Sequence, residues 1–318
     1  VVRAIEAMQE GNVDVFFCMG GNFLSATPDT DVTAKAIQNI GLTVQVSTKL
    51  NRSHLITGAE ALILPCLGRT EMDVQSGVHQ FVSVENSMGQ VHRSQGQLPP
   101  ASPHLRSEPW IVAQLANATL SDQHLNWLEL AGDYDKIRSL MERSLHGFEE
   151  YNERVRTPSG FALPNPPKDS QSFETANGLA QFMVHDLPDV QLQPDQFVLM
   201  TIRSHDQYNT TIYGLHDRYR GVHGHRRVVF MNAEDMVERG WKSRQKVNIT
   251  SHFNGEQRHA SDWLLVPYEI PRGNLAAYFP EANCLVPLHS TAAVSNTPTS
   301  KWIVCTLTAD ASSLEEEE

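Results

Sequence analysis

The sequence predicts an α/β domain followed by an all-β domain, and three observations carry that reading. Residues 13–17 form an apolar β-former run that breaks at Gly20, Gly21 and Asn22, then passes through Pro28 and Asp29 into the helix-like stretch 32–40. Residues 157–169, TPSGFALPNPPKD, hold four prolines and a glycine in thirteen positions, where no helix can continue. Beyond them the pattern turns to short strands at 197–202, 227–231 and 246–251.

In chain order, residues 1–10 place Val1, Ile5 and Met8 at helical spacing, and Gly11 supplies the stop. The strand at 13–17 follows. After the glycine loop and helix, Gly41 ends the helix and 42–46 reads as the next strand, so this is a βαβ unit with parallel strands. A third strand at 61–64, apolar on both faces, is expected to be buried. The polar stretch 47–54 and the loop 68–73 both follow strand ends. They are therefore expected on the rim that carries Gly20 to Asn22, where open α/β sheets bind ligands. Residues 74–106 read as irregular apart from an extended piece at 81–85 and a turn at 87–89. Ser107 is expected to cap a helix beginning at Glu108 and Pro109, and a single helix is expected over 133–156 with Ile137, Leu140, Met141, Leu145, Phe148 and Tyr151 as its apolar stripe.

The domains are thus expected at 1–156 (α/β), 157–169 (linker) and 170–311 (β-barrel), with 312–318 an acidic tail. In the last domain Asn254-Gly255 marks a hairpin, and a short helix from Asn232 ends at Gly240. Several short strands with one small helix suggest a closed barrel. The polar run Arg203, Ser204, His205, Asp206, Gln207, Tyr208, Asn209 and Thr210 directly follows an apolar strand and is the barrel's candidate binding segment.

Composition narrows the function. A net charge of -12 over 318 residues argues against non-specific nucleic-acid binding, and no apolar run approaches membrane-spanning length. Cys18, Cys66, Cys284 and Cys305 stand apart, without C-x-x-C, so a reducing, cytoplasmic setting is expected and neither a structural zinc nor an iron-sulfur cluster. His223 and His225 flank Gly224 without a nearby carboxylate and read as a polar loop. No Ser-His-Asp set, carboxylate pair or metal motif is visible, so no catalytic residue and no metal ligand is assigned. The start at Val1, without Met or signal features, reads as a fragment.

The order GGNxxxAxPD, ALILPCLGRTE, a Pro-rich linker, LMTIRSHDQYNT and MNAEDMVERGWKSRQKVNITS resembles the C-terminal half of molybdopterin oxidoreductase catalytic subunits, closest to the formate-dehydrogenase-like branch associated with acid resistance. The resemblance implies a Rossmann-like α/β domain and a double-psi, aspartate-decarboxylase-like barrel that clamp the guanine dinucleotide arms of a bis-molybdopterin cofactor. It places Gly20, Gly21, Asn22 and Ser25 at one nucleotide arm and Ser47, Thr48 and His54 on the next rim loop. It also assigns cofactor contacts to the run from Arg203 to Thr210, Asn283 and Lys301. Phe23 stands where many relatives have proline, and the turn 242–245 lacks their glycine-aspartate. The iron-sulfur cysteines and the usual molybdenum ligand belong to the family's N-terminal half and match nothing here. A 4Fe-4S cluster is expected only in that half, which is the implied partner, together with a small-molecule substrate and an electron-transfer protein. The chain alone is expected to be inactive. Two other readings stay open: a non-catalytic partner subunit with the same fold, and an NAD-dependent dehydrogenase. Against the latter, the loop is not G-x-G-x-x-G and no acidic residue follows Val46.

Overall fold

A computed structural model describes residues 1–121, 124–186, 191–210 and 212–310. The acidic tail lies outside the described residues. Two units form: residues 1–64 join 189–318, and 65–188 make the other. This division does not follow the expected boundary at 157–169, because the first 64 residues bond to the barrel, as described below.

Helix α1 (Val2–Gln9) buries Val2, Ile5 and Met8 on one face, and Gly11 turns the chain at φ 73°. Strand β1 (Val15–Met19) sits two residues later than the expected run. A short helix α2 (Phe23–Ala26) and then α3 (Thr30–Gln38) lead to β2 (Leu42–Ser47). β1 and β2 are parallel, with Val15 opposite Leu42 and Met19 opposite Val46. Helix α3 ends on Asn39 in an ordinary right-handed conformation, so Gly41 is not its left-handed cap. Gly41 instead sits where a side chain would stand 3.1 Å from the Asp14 carbonyl oxygen. Strand β3 (Glu60–Pro65) lies beside β2, in the order β1-β2-β3. It was expected to be buried. Leu62 and Ile63 are instead 51% and 45% exposed, because β3 is the last strand of this sheet among the described residues.

The second unit opens with a tight hairpin, β4 (Val74–Gln75) and β5 (Val78–His79), followed by antiparallel β6 (Val82–Glu85) and β7 (Gln90–Ser94). The expected rim loop 68–73 belongs here, where Glu71 accepts backbone N–H bonds from Gly68 and Ala101, both at 2.6 Å. Helix α4 (Glu108–Thr119) starts where expected, but the Ser107 hydroxyl pairs with the Tyr134 hydroxyl at 2.7 Å and caps nothing. Helices α5 (Trp127–Gly132), α6 (Tyr134–Ser144) and α7 (Tyr151–Arg154) follow. The single helix expected over 133–156 is broken at Gly147 (φ 89°) and Glu150 (φ 52°), and the break lets Phe148, Tyr151 and Phe161 pack as one aromatic cluster. The proline-rich stretch is not a free linker. Its β8 (Phe161–Ala162) pairs with β7, and α8 (Pro166–Asp169) follows.

The chain then forms a closed six-stranded barrel from β9 (Gln196–Ile202), β10 (Val228–Met231), β11 (Lys246–Phe253), β12 (Glu256–Pro267), β13 (Asn274–Tyr278) and β14 (Ile303–Ala309). The order round the barrel is β10-β12-β11-β14-β9-β13, with β10–β12 and β13–β9 parallel and the other four pairs antiparallel. Helix α9 (Ala233–Glu238) starts on Asn232, whose side chain accepts from the Glu234 amide, and Gly240 follows at φ 67°. Asn254 and Gly255, both left-handed, close the expected hairpin. Alternate residues point inward, so Phe197, Leu199, Val229, Val247, Ile249 and Trp263 fill the interior.

Candidate functional site

The first wall of the site is built from two loops stapled together. Gly20 and Gly21 both take left-handed φ, 65° and 71°, which returns the chain sharply after β1. Asn22 is buried, and its side-chain oxygen accepts from the Ser25 amide and from the Ser53 hydroxyl at 2.9 Å. Asn51 reaches across to donate to the Gly21 carbonyl at 2.7 Å. His54 is also buried: its Nδ1 accepts from the Asn51 amide at 3.0 Å, which leaves the proton on Nε2 to face Ser47 Oγ at 3.1 Å. Asn22, Ser47 and His54 thus spend much of their bonding on the loops themselves.

The second wall is the barrel, held to the first by a buried latch. Asp29 Oδ2 lies 2.7 Å from Arg258 Nε and 2.6 Å from its Nη2, and also accepts from the Leu288 amide. The Asp29 amide donates to the Asn283 carbonyl, while Asn283 Nδ2 donates to the Ser25 carbonyl at 2.7 Å. Asn283, a candidate contact from sequence, is therefore part of the latch and borders a separate hollow of about 200 Å³.

Between the walls lies a cleft of about 750 Å³. Asn22, Ser25, Asp31, Lys49, Asn51 and Arg52 line it from the sheet side, and Thr210, Tyr213, Arg227, His259, Trp263, Glu281 and Cys284 from the barrel side. A small recess of about 60 Å³, lined by Gly20, Gly21, Ser47 and Thr48, shares Lys49, Asn51 and Thr210 with it. Nothing lies within 4 Å of where a Gly21 side chain would begin. Among the described residues the guanidinium groups of Arg52 and Arg227 have no hydrogen-bond or ion-pair partner, and the buried Trp263 Nε1 has none either. Two unpaired cations facing a polar cleft can attract an anion, although Asp31 and Glu281 share the same lining. Cys284 is no nucleophile here: burial and then Asp31 push its thiol up to about 11, despite Arg227 and Arg52. Among the described residues no three His, Cys, Asp or Glu side chains gather to hold a metal, and no helix is long and apolar enough to cross a membrane.

The barrel's polar run is placed differently. Only Thr210 lines the cleft. Ser204 and Gln207 bond to each other and to Arg226, which also pairs with Glu281 at 2.7 Å and stacks on Tyr213. His205 pairs with Asp217 at 3.0 Å, and Arg203 donates to the Asn209 side chain at 3.1 Å. Asp206 and Asn209 are exposed turn residues with left-handed φ, and Tyr208 is exposed. The Lys301 ammonium donates to the Thr201 carbonyl, and burial lowers its pKa. The residues that sequence reasoning passed over are Lys49, Asn51, Arg52, Arg227, His259, Glu281 and Cys284. The first three lie inside the polar stretch 47–54, so a signal existed for them. The others come from distant strands and turns that only the barrel's closure assembles.

Residues 197–308 match the Molydopterin dinucleotide binding domain. An uncharacterized oxidoreductase of Mycobacterium tuberculosis is 53% identical over 312 residues, covering 96% of this chain and 40% of that protein. Protein YdeP of Escherichia coli is 40% identical over 308 residues, covering 95% of this chain and 40% of that protein. The chain thus spans about 40% of the length of these curated relatives. Acetylene hydratase from Pelobacter acetylenicus shares the fold, with a TM-score of 0.63 and 12% identity over 96% of this chain and 46% of that one. The domain match and the relatives named as oxidoreductases support the C-terminal region of a molybdopterin oxidoreductase.

Proposed function

We propose that this chain is the cofactor-clamping part of a longer molybdopterin-dependent oxidoreductase of the formate-dehydrogenase-like branch. The observation that carries the reading is the cleft itself, with Arg52 on the sheet side and Arg227 on the barrel side, both unpaired among the described residues. A pyrophosphate-bearing dinucleotide arm needs such cations and a close backbone approach, which the open space at Gly21 allows. The residues present therefore fit the group. Arg52, Arg227, Asn51 and Thr210 would hold the anionic arm, with Gly20, Gly21, Ser47 and Thr48 around the recess. Ser204, Gln207 and Asn283 act behind this surface by holding its loops in place.

In this reading the cofactor is bis-molybdopterin guanine dinucleotide, and when bound it supplies the two-electron chemistry. Its 4Fe-4S relay, molybdenum ligand, substrate site and electron-transfer partner belong to the rest of the subunit, so the isolated chain does not turn over. The two parallel strand pairs in the barrel favour a double-psi form, and the parallel β1–β2 pair favours a Rossmann-like sheet. The four unpaired cysteines favour a cytoplasmic setting. The test is molybdenum and guanine nucleotide per folded full-length protein, wild type against Gly21→Val. Because Gly21 sits at φ 71°, valine there is strained, so occupancy is read per folded molecule; it is expected to fall, since the side chain is added at the wall of the recess. Equal occupancy in the two proteins would overturn the assignment.

A further inference from the structure

The clamp reading leaves one aromatic ring of the cleft without a task. Tyr213 lines the cleft from the barrel side, is 38% exposed, and its hydroxyl has no hydrogen-bond partner among the described residues. One face of its ring is already covered, because the Arg226 guanidinium carbon stands 4.2 Å from the ring centroid. Arg226 itself is buried and fully engaged. It donates to both Glu281 carboxylate oxygens, at 2.7 and 3.1 Å, to Ser204 Oγ and the Phe279 carbonyl, each at 2.8 Å, and to Gln207 Oε1 at 3.1 Å. These bonds use all three guanidinium nitrogens, so the tyrosine is not needed to satisfy the arginine. The ring is thus pinned from behind by a neutralised cation, and what it still exposes is left to the cleft.

We infer that Tyr213 is the platform on which the base of the bound nucleotide arm stacks, and that it sets the site's preference for a nucleotide over a bare oxyanion. Arg52 and Arg227 can hold phosphate groups, but they cannot tell a dinucleotide arm from inorganic pyrophosphate. A flat aromatic face can, because every nucleobase offers a π face and inorganic phosphate offers none. The cleft has room for this division of labour: at about 750 Å³ it lies in the range of pockets that enclose a whole organic ligand. Holding the ring in advance also helps. A tyrosine already fixed by Arg226 loses little rotamer freedom when the base arrives. The identity of the ligand rests on the cofactor-clamp reading; the base preference is a separate property of the ring.

The first measurement titrates guanosine diphosphate and inorganic pyrophosphate into the 318-residue chain by calorimetry. Both probes carry two linked phosphates, so the ratio of their affinities reports the base. The wild type is expected to prefer guanosine diphosphate by about tenfold or more, Tyr213→Phe to keep that ratio, and Tyr213→Ala to abolish it with pyrophosphate affinity unchanged. Equal affinity for the two probes in the wild type would overturn the platform and leave the clamp reading standing. Loss of both probes alike in Tyr213→Ala would also overturn it, since the ring would then be shaping the cleft. The second measurement is proton NMR of the wild-type chain, with the Tyr213 ring signals identified by their loss in Tyr213→Phe. Guanosine diphosphate is expected to move those signals upfield and pyrophosphate to leave them in place. A ring that does not respond in the nucleotide-bound chain would overturn the inference whether or not the alanine variant folds. In the full-length protein, guanine nucleotide per folded molecule should fall about tenfold in Tyr213→Ala and persist in Tyr213→Phe. A wild-type full-length protein without guanine nucleotide would instead remove the clamp reading, and the platform with it.

Discussion

The two walls of the cleft use polar residues in opposite ways. On the sheet side, within the stretch 47–54, Asn51 and His54 form a capping box at the start of the short helical turn Arg52–Leu55, and Lys49 and Arg52 line the cleft. On the barrel side, the run 203–210 looks richer in binding groups, yet Ser204, His205 and Gln207 are bound to Arg226 and Asp217, and Thr210 alone lines the cleft. A dense polar run can thus mean a loop that must hydrogen-bond itself into place. The cleft's charge comes instead from residues at the edges of such runs.

The largest effect tests whether the walls are one body. Asp29→Ala strips a buried arginine of its counter-charge and the Leu288 amide of its acceptor, and is expected to cost about 3–5 kcal/mol in urea unfolding. A change under about 1 kcal/mol would mean that the walls are held by something else. Next, the double change Arg52→Ala and Arg227→Ala removes one cation from each wall. Each charge-assisted bond lost is worth roughly 1.5–3 kcal/mol, so cofactor retention in the full-length protein should fall at least tenfold per site. If only one of the two matters, the anion sits on that wall alone.

Asp217 offers a pH test of the barrel wall. Burial opposes its ionisation, but Tyr278, Arg220 and His205 hold it at about 2, below the ordinary 3.8. A carboxyl depressed on folding stabilises above its unfolded pKa, and that stability is lost as pH falls from about 4 through about 2. Urea midpoints should therefore drop across this window, and Asp217→Asn should flatten the drop. The smallest effect is at Lys301, engaged with the Thr201 carbonyl and absent from the cleft lining. Lys301→Met should cost about 1 kcal/mol and leave cofactor retention unchanged, as measured by urea unfolding and nucleotide content. A loss of cofactor would place the anion's path beyond the cleft.

Local pattern made much of the fold legible. The glycine loop, the Asn254-Gly255 hairpin and β9, β10 and β11 are each signalled by a short local stretch, and the βαβ order by the run from Val15 to Ser47. What stayed hidden needed distant partners. The helix expected over 133–156 has the right stripe but breaks at Gly147, since Tyr151 and Phe161 pack better across the break. The run at 61–64 is apolar like a central strand, although its place at the end of the sheet exposes it. In the site, Gly20, Gly21, Asn22, Ser25, Ser47, Thr48 and Thr210 were legible because they follow strand ends. Arg227, His259, Glu281 and Cys284 were not, because each is placed by a different piece of barrel backbone.

The Asp29 latch also orders events in time. Its partners Arg258, Asn283 and Leu288 follow the first loops by well over two hundred residues, with 229 positions separating Asp29 from Arg258. At about 5–20 residues per second, a ribosome needs on the order of tens of seconds to emit them. Throughout that interval the nascent sheet lacks Leu288, which in the folded chain packs into one core with Ile5, Ile37 and Ile40. The cleft cannot exist until the barrel has been translated, so any ligand would enter after that step, and the waiting sheet is the stretch that a chaperone would be expected to hold.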